Sequence, residues 1–166
     1  NPEQTERLYQ LAIDALALQP HETLVDAYAG VGTIGLALAD QAKRVRGMEV
    51  IEAAVADANA NAELNHITNA SYEVGKAEDL FPKWLQAGFK PDAVIVDPPR
   101  AGLDAQFIRA LHQAKPKRFV YISCNPSTLA RDLVALSRDW HVDYIQSIDM
   151  FPQTARCEAV VKFTRR

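Results

Sequence analysis

The chain has 166 residues, 48% of them hydrophobic, which suits one domain whose core needs neither disulfides nor metal. Its 18 basic and 21 acidic residues give a net charge of −3, which argues against a free-standing nucleic-acid binder, because phosphate binding draws on an excess of Lys and Arg. Cys124 and Cys157 lack zinc-type spacing and no apolar run approaches the roughly 18 residues of a membrane span, so we expect free thiols, no metal, no membrane and a cytoplasmic location.

Strands and helices are predicted to alternate from the start of the chain. After Asn1 and Pro2, apolar residues at helical spacing predict a helix over 3–18, and a β-branched run predicts a strand over 23–28. A glycine-rich turn then leads into an apolar helix that runs to about residue 42. The alternation continues as strands over 44–50, 70–75, 93–97 and 119–124, helices over 51–65, 78–87, 104–114 and 127–138, and final strands over 142–148 and 159–164.

This order of elements predicts an α/β fold. Because parallel neighbours need a crossover connection, we expect a mostly parallel sheet with helices on both faces. The last two strands have no helix between them, which predicts an antiparallel pair at the C-terminal edge. No repeat or long linker divides the chain, so residues 1–166 are predicted to be one domain. The start at a helix without Met leads us to expect a piece of a longer protein.

The turn after the first strand has the spacing of a nucleotide-binding loop. Residues 30–35 read G-x-G-x-x-G between a strand and a helix, and Glu49 follows about 20 residues on. The glycines let a nucleotide approach the backbone, and an acid at the end of the second strand can accept hydrogen bonds from ribose hydroxyls. We therefore take Gly30, Gly32, Thr33 and Glu49 as candidate cofactor contacts. The turn alone leaves a nicotinamide dinucleotide as an alternative.

Asp26, near the end of the first strand, favours a different cofactor. A carboxylate there faces a pyrophosphate unfavourably but suits the cationic methionine end of S-adenosylmethionine. The pattern Asp26-x-x-x-Gly30-x-Gly32 resembles the first motif of class I methyltransferases, which implies their Rossmann-like sheet. In that comparison Tyr28 and Glu49 are cofactor contacts.

Asp97 ends the fourth predicted strand and is followed by two prolines and Arg100. The prolines make a rigid, extended turn that holds the carboxylate at the strand tip. Methyltransferases that act on nucleic-acid bases often carry an acid or amide before two prolines at this place. Arg100 is interpreted as a phosphate contact, as a partner of Asp97, or as an ordinary surface residue.

Cys124 ends the next strand at the approach to a helix. The unpaired N–H groups and the dipole of a helix N-terminus favour a thiolate, which is the nucleophilic form of cysteine. A cysteine in this place is otherwise a small buried hydrophobe. The neighbouring Asp97 and the glycine turn favour the nucleophile.

Three motifs together resemble the uracil-5-methyltransferases that act on ribosomal and transfer RNA. They are Asp97-Pro98-Pro99-Arg100, Ser123-Cys124-Asn125-Pro126 and Phe151-Pro152-Gln153-Thr154 with Glu158. The resemblance implies S-adenosylmethionine as cofactor, Cys124 as nucleophile, Glu158 as base, and cofactor contacts at Tyr28, Glu49 and Asp97. It also implies an RNA substrate, for which we favour ribosomal over transfer RNA, and RNA-binding domains that are missing from this chain. Ala29 departs from the cysteine that many members carry.

The expected chemistry is the addition of the Cys124 thiolate to uracil C6, which makes C5 a carbanion equivalent, followed by removal of the C5 proton by Glu158. A cytosine-5 methyltransferase with the same cysteine chemistry, or a non-catalytic cofactor-binding domain of an RNA-binding protein, remain alternatives. A dehydrogenase does not account for Asp97 or Cys124. A cysteine hydrolase needs a histidine near Cys124, and all four histidines are predicted to lie away from it.

Overall fold

A computed structural model of the protein describes residues 2–149 and 157–166. None of the helices in these two ranges is both long and apolar enough to cross a membrane. The helices are α1 Pro2–Leu16, α2 Thr33–Leu38, α3 Glu52–Leu64, α4 Ala77–Gln86, α5 Ala105–Ala114 and α6 Pro126–Leu136. The strands are β1 Thr23–Ala27, β2 Arg44–Glu49, β3 Ala70–Val74, β4 Ala93–Val96, β5 Arg118–Ser123, β6 Trp140–Asp149 and β7 Cys157–Arg165.

All seven strands form a single sheet in the order β3-β2-β1-β4-β5-β7-β6. Strands β1 to β5 are parallel, while β7 runs antiparallel to both of its neighbours, β5 and β6. This confirms the predicted mixed sheet and its antiparallel C-terminal pair. The last strand in sequence is inserted between β5 and β6, so its residues lie beside those of β5.

Side chains of the central strands point alternately to two hydrophobic cores, one on each face of the sheet. Leu24, Ile95 and Val120 pack with helices α1 and α2. Val94 and Phe119 pack on the opposite face with helices α4, α5 and α6. Helices therefore cover both faces, as predicted, and the carboxyl ends of the parallel strands are left at one edge.

Three predicted helix ends are wrong, and one of them is that of α6, which ends at Leu136 instead of residue 138. The first helix ends at Leu16 instead of residue 18, because Ala17 takes a left-handed conformation with φ of 45°. The second ends at Leu38, after which a 3₁₀ turn over Ala39–Gln41 leads to an extended Ala42. The Lys43 N–H then donates to the Glu22 carbonyl at 2.8 Å, which turns the chain into β2.

Candidate active site

Tyr28, Glu49 and Asp97 form a row at the carboxyl edge of the sheet. Ala27 of β1 pairs with both neighbouring strands, at Met48 and at Val96. The three residues of the row each follow one of these paired positions. Because the strands are parallel, the register alone brings the three side chains to one level of the site.

The glycine loop, residues 28–32, is tied to Glu49. The Gly30 N–H donates to Glu49 Oε1 at 3.0 Å, and the Ile51 N–H donates to Oε2 at 2.9 Å. Gly30 and Gly32 have φ of 58° and 81°, the left-handed region in which glycine is favoured. Thr33 begins α2 directly after this turn. Glu49 therefore fixes the loop and keeps its remaining lone pairs for a ligand hydroxyl.

Two cavities open at this row, and both are lined by Tyr28 and Asp97. The larger has a volume of about 420 Å³ and is also lined by Met48, Glu49 and Pro98. The smaller has about 230 Å³ and is lined by Asp26 and by residues of the glycine loop and of the start of α2, including Thr33. The pair suits a ligand with a flat apolar ring, vicinal hydroxyls and a cationic end.

Asp26 lies in the floor of the smaller cavity and is 5% exposed. The Gly35 backbone donates to its carboxylate, whereas Oδ2 has no hydrogen-bond partner among residues 2–149 and 157–166. Burial, followed by the charge of Asp97, raises the pKa of Asp26 to about 8. A Cβ at Gly35 would stand 2.7 Å from Oδ2, so this glycine makes room for the carboxylate. At neutral pH the acid that we expected to be charged is largely protonated in the free protein.

Replacing Asp26 with Asn is expected to stabilise the ligand-free protein at pH 8. The folded-state pKa of about 8 exceeds the ordinary value of 3.8, so between these pH values the folded state holds a proton that the unfolded state releases. Stability is therefore lost as pH rises through this window. From pH 5 to pH 8 the loss from this group is on the order of 3 kcal/mol. Urea titrations of both proteins at the two pH values check this, and equal slopes with pH would contradict it.

Asp97 follows β4 at the floor of both cavities. Solvent reaches its side chain, but the surrounding cavity walls displace enough water to raise its pKa to about 7, with a further contribution from the charge of Glu158. A carboxyl group that is half ionised near neutrality responds strongly to a cation placed beside it.

Cys124 occupies the short connection between β5 and α6. Ser123, which is buried, binds Asn125 twice: its hydroxyl accepts from the Asn125 N–H and donates to the Asn125 carbonyl, both at 3.1 Å. The Asn125 side chain caps α6 by accepting from the Ser127 N–H at 3.0 Å. The partly exposed thiol is thus held on a fixed backbone at the end of β5.

The charge state expected for Cys124 is wrong in the free protein. The helix N-terminus was expected to favour the thiolate, yet burial raises the pKa of the Cys124 thiol, and the charges of Glu158 and Asp97 raise it further. Arg100 lowers the pKa of Cys124, but as a smaller contribution. Burial is the largest cause, because it disfavours the charged thiolate, and the two nearby acids add to it.

Glu158 on β7 lies next to Cys124 through the register of the sheet. Ser123 of β5 pairs with Ala159 of the antiparallel β7, and Cys124 and Glu158 are the next residues beyond that pair. Burial raises the pKa of Glu158. The other motif residues of this segment, Phe151 to Thr154, lie outside the described part of the chain.

Arg100 forms no ion pair with Asp97 in the described ranges, and its side chain is exposed. Of the three interpretations of Arg100, pairing with Asp97 is therefore wrong. The positive charge of Arg100 instead lowers the pKa of the Cys124 thiol.

Sequence reasoning missed Tyr9, which lies on α1 and lines the smaller cavity with Asp26 and Asp97. Burial, then the charges of Asp97, Asp26 and Glu158, raises the pKa of Tyr9. Its neighbour Leu8 belongs to the buried stripe of α1, so the helical pattern placed Tyr9 beside the core without indicating the site.

The whole chain matches a known protein family. A profile described as tRNA (Uracil-5-)-methyltransferase matches residues 1–166. Uncharacterized RNA methyltransferases from Lactiplantibacillus plantarum and Enterococcus faecalis are 70% and 64% identical over all 166 residues, which make up 34% and 36% of those proteins. The chain therefore spans about a third of the length of these relatives.

The chain is also similar to a solved structure of an RNA methyltransferase. It is the Pyrococcus abyssi tRNA (uracil-54, C5)-methyltransferase in complex with S-adenosyl-L-homocysteine, with a TM-score of 0.79 and 37% sequence identity. The match covers 95% of this chain and 38% of that one. The chain belongs to the tRNA (uracil-5-)-methyltransferase family.

Proposed function

We propose that the protein transfers a methyl group from S-adenosylmethionine to C5 of a uracil in RNA through a covalent bond between Cys124 and C6. The observation that carries the proposal is the placement of Cys124, directly after β5, beside Glu158 on the adjacent β7 and near an Asp97 that lines two cavities. A nucleophile, a base and a cofactor carboxylate are the three groups that this reaction needs.

The cavities fit S-adenosylmethionine. Glu49 suits the ribose hydroxyls, the apolar wall beside Met48 suits the adenine ring, and Asp26 and Asp97 suit the cationic methionine end. When bound, this cofactor supplies an electrophilic methyl group on a sulfonium ion. Bound S-adenosylhomocysteine in the Pyrococcus abyssi structure supports the assignment.

Cys124 makes the uracil ring reactive at C5. Its sulfur bonds to C6, and the electron pair of the C5–C6 double bond moves toward C5 and the neighbouring carbonyl oxygen. C5 then takes the methyl group, whose bond to the sulfonium sulfur breaks to leave S-adenosylhomocysteine, and becomes saturated. Because the free thiol has a raised pKa, we infer that the thiolate forms when RNA and cofactor are bound, at which point Arg100 and the cofactor cation offset the carboxylates.

Glu158 completes the reaction by taking the proton from C5. The double bond between C5 and C6 re-forms, the bond between sulfur and C6 breaks, and Cys124 leaves as a thiolate. The raised pKa of Glu158 suits this step, since a stronger conjugate base removes a carbon-bound proton more readily.

The substrate is expected to be an unstacked uridine, because the thiol must reach a face of the ring. The net charge of −3 supports RNA binding that relies on parts of the protein outside this chain. We propose ribosomal RNA as the first substrate and transfer RNA, the substrate of the Pyrococcus abyssi enzyme, as the second.

The proposal is tested by product analysis. Protein is incubated with methyl-labelled cofactor and unmodified ribosomal or transfer RNA, and the digested nucleosides are separated by mass spectrometry. Label in 5-methyluridine supports the proposal. Label in 5-methylcytidine assigns the same cysteine chemistry to cytosine, and unlabelled nucleosides from both RNAs, when calorimetry shows bound cofactor, contradict RNA methylation by this chain.

Cofactor affinity is expected to rise with pH because of Asp97. With a pKa of about 7, its carboxyl group is mostly protonated at pH 6 and mostly ionised at pH 7.5, and the sulfonium cation favours the ionised form. If only that form binds, the dissociation constant falls about eightfold over this range. Calorimetry measures it. Asp97→Asn is expected to retain only the smaller dependence that Asp26 contributes, and S-adenosylhomocysteine, which lacks the sulfonium charge, is expected to show a weaker dependence than S-adenosylmethionine. A flat profile in the unmodified protein would contradict the role of Asp97.

A further inference from the structure

Helix α6 holds the segment that follows Asp97. We call residues 97–104 the proline loop. Its Arg100 carbonyl accepts from Asn125 Nδ2 and from the Thr128 hydroxyl, both at 3.0 Å. Asn125 is also the N-cap of α6 and directly follows Cys124. The same residue therefore fixes the helix after the nucleophile and the loop after Asp97.

Asp132 holds the proline loop from one turn further along α6. It is 1% exposed, and its Oδ2 accepts from the Leu103 N–H at 2.9 Å and from the Tyr121 hydroxyl at 2.7 Å. Its Oδ1 accepts from Arg131 Nε and Nη2 at 3.1 and 3.0 Å. A buried carboxylate with four donors is an ordered anchor, since an unsatisfied one would be costly.

Arg131 links this anchor to the backbone of the loop. Its guanidinium donates to the Ala101 carbonyl at 2.7 Å and to the Leu103 carbonyl at 3.3 Å. Gly102 lies between them with φ of 78°, and a Cβ there would stand 2.6 Å from Arg131 and 2.7 Å from Asp132. The absence of a side chain at residue 102 lets the loop reach the anchor.

We propose that Asp132, with Arg131, is a positioning residue that sets the place of Asp97 and Arg100 relative to Cys124. The inference rests on the function proposed above. Neither Arg131 nor Asp132 need touch substrate. They act through the loop, because two prolines make the backbone between Asp97 and the held Arg100 carbonyl stiff. A fixed geometry matters here because small misplacement of reacting groups is costly in rate.

The test compares variants that loosen the loop with variants that do not. Asp132→Asn replaces one carboxylate oxygen by a donor, which then faces either Arg131 or the Leu103 N–H, so half of the anchor is lost in either orientation. Arg131→Met removes the exposed guanidinium and is expected to fold. Tyr121→Phe is the matched control, since it deletes a bond to the same Oδ2 but leaves the loop held. Arg138→Met is the control for loss of an exposed arginine, and it lies two residues after the end of α6.

Two readouts need no RNA. Calorimetry gives the dissociation constant of S-adenosylmethionine. The rate at which iodoacetamide alkylates Cys124, measured by peptide mapping at a series of pH values, gives the pH profile of the thiol. Asp97 and Arg100, which act on the thiol with opposite sign, move with the loop, whereas Glu158 on β7 does not. Asp132→Asn and Arg131→Met are expected to weaken cofactor binding about threefold or more and to displace the midpoint of the profile by about 0.3 pH unit or more.

Thermal unfolding distinguishes a displaced proline loop from a general loss of protein stability. The support expected for the proposal is unchanged affinity and an unchanged profile in Tyr121→Phe and Arg138→Met beside the changes in the two loosened variants, all measured at a temperature well below the Tm of every variant. Equal effects in Tyr121→Phe, or an unchanged profile in both loosened variants, overturn it. A protein that methylates no uridine but shows the selective displacement retains the positioning role and loses the proposed function, so the two failures are distinguishable.

Discussion

Replacing Cys124 with Ala is expected to abolish methyl transfer, with a loss of about 10,000-fold or more, because no other described group takes over addition to C6. The same change should eliminate a covalent complex with RNA that contains 5-fluorouridine. Fluorine at C5 cannot be removed as a proton, so the methylated base stays attached to the sulfur. Denaturing mass spectrometry then shows protein, RNA and one methyl group as a single species.

Cys157→Ser is the control for this experiment, since Cys124 and Cys157 are the two cysteines of the chain. The control should form the adduct at an undiminished rate. An adduct that persists in Cys124→Ala, or one that maps to residue 157, would remove Cys124 from the reaction and with it the covalent mechanism.

The change Glu158→Gln is expected to convert ordinary RNA into a trap. The amide cannot take the C5 proton, so methyl transfer proceeds but release is slowed by about 100-fold or more. A methylated covalent complex should then accumulate with unmodified uridine, without fluorine. Gel electrophoresis under denaturing conditions and intact mass measure its amount over time.

The double variant Cys124→Ala with Glu158→Gln should form no such complex, which tests whether the trapped species depends on the sulfur. Normal turnover by Glu158→Gln would show that another base acts. Accumulation of an unmethylated adduct would instead place Glu158 before methyl transfer. Either result would revise the order of steps proposed here.

Much of the site could be predicted because it lies at strand ends. The alternation of elements indicated a parallel sheet, and the carboxyl ends of parallel strands meet at one edge. Tyr28, Glu49 and Asp97 therefore came together as expected from their places in the sequence. The closeness of Cys124 and Glu158 depends on the insertion of β7 between β5 and β6. The sequence predicted an antiparallel C-terminal pair but not which of its two strands lies beside β5.

The electrostatics could not be predicted from sequence. A helix start after Cys124 suggested a lowered pKa for the thiol. The direction of the pKa shift depends instead on the burial of the thiol and on how closely Glu158 and Asp97 approach it. The charge expected on Asp26 depends on burial in the same way. Asp132 was also missed, because on a helical pattern it is one more polar residue, and its partner Leu103 is 29 residues away.

The position of β7 in the sheet has a consequence for synthesis of the protein. Translation delivers every residue that lines the two cavities, and Cys124, before it delivers Glu158. A nascent or prematurely ended polypeptide that stops before Cys157 lacks β7, so the edge of β5 that β7 covers has no β7 partner. It also lacks Val160, Val161 and Phe163, which are fully buried in the finished sheet. Such a product would present an unpaired strand to chaperones and proteases, so surveillance of folding would remove chains with a reactive cysteine and no base.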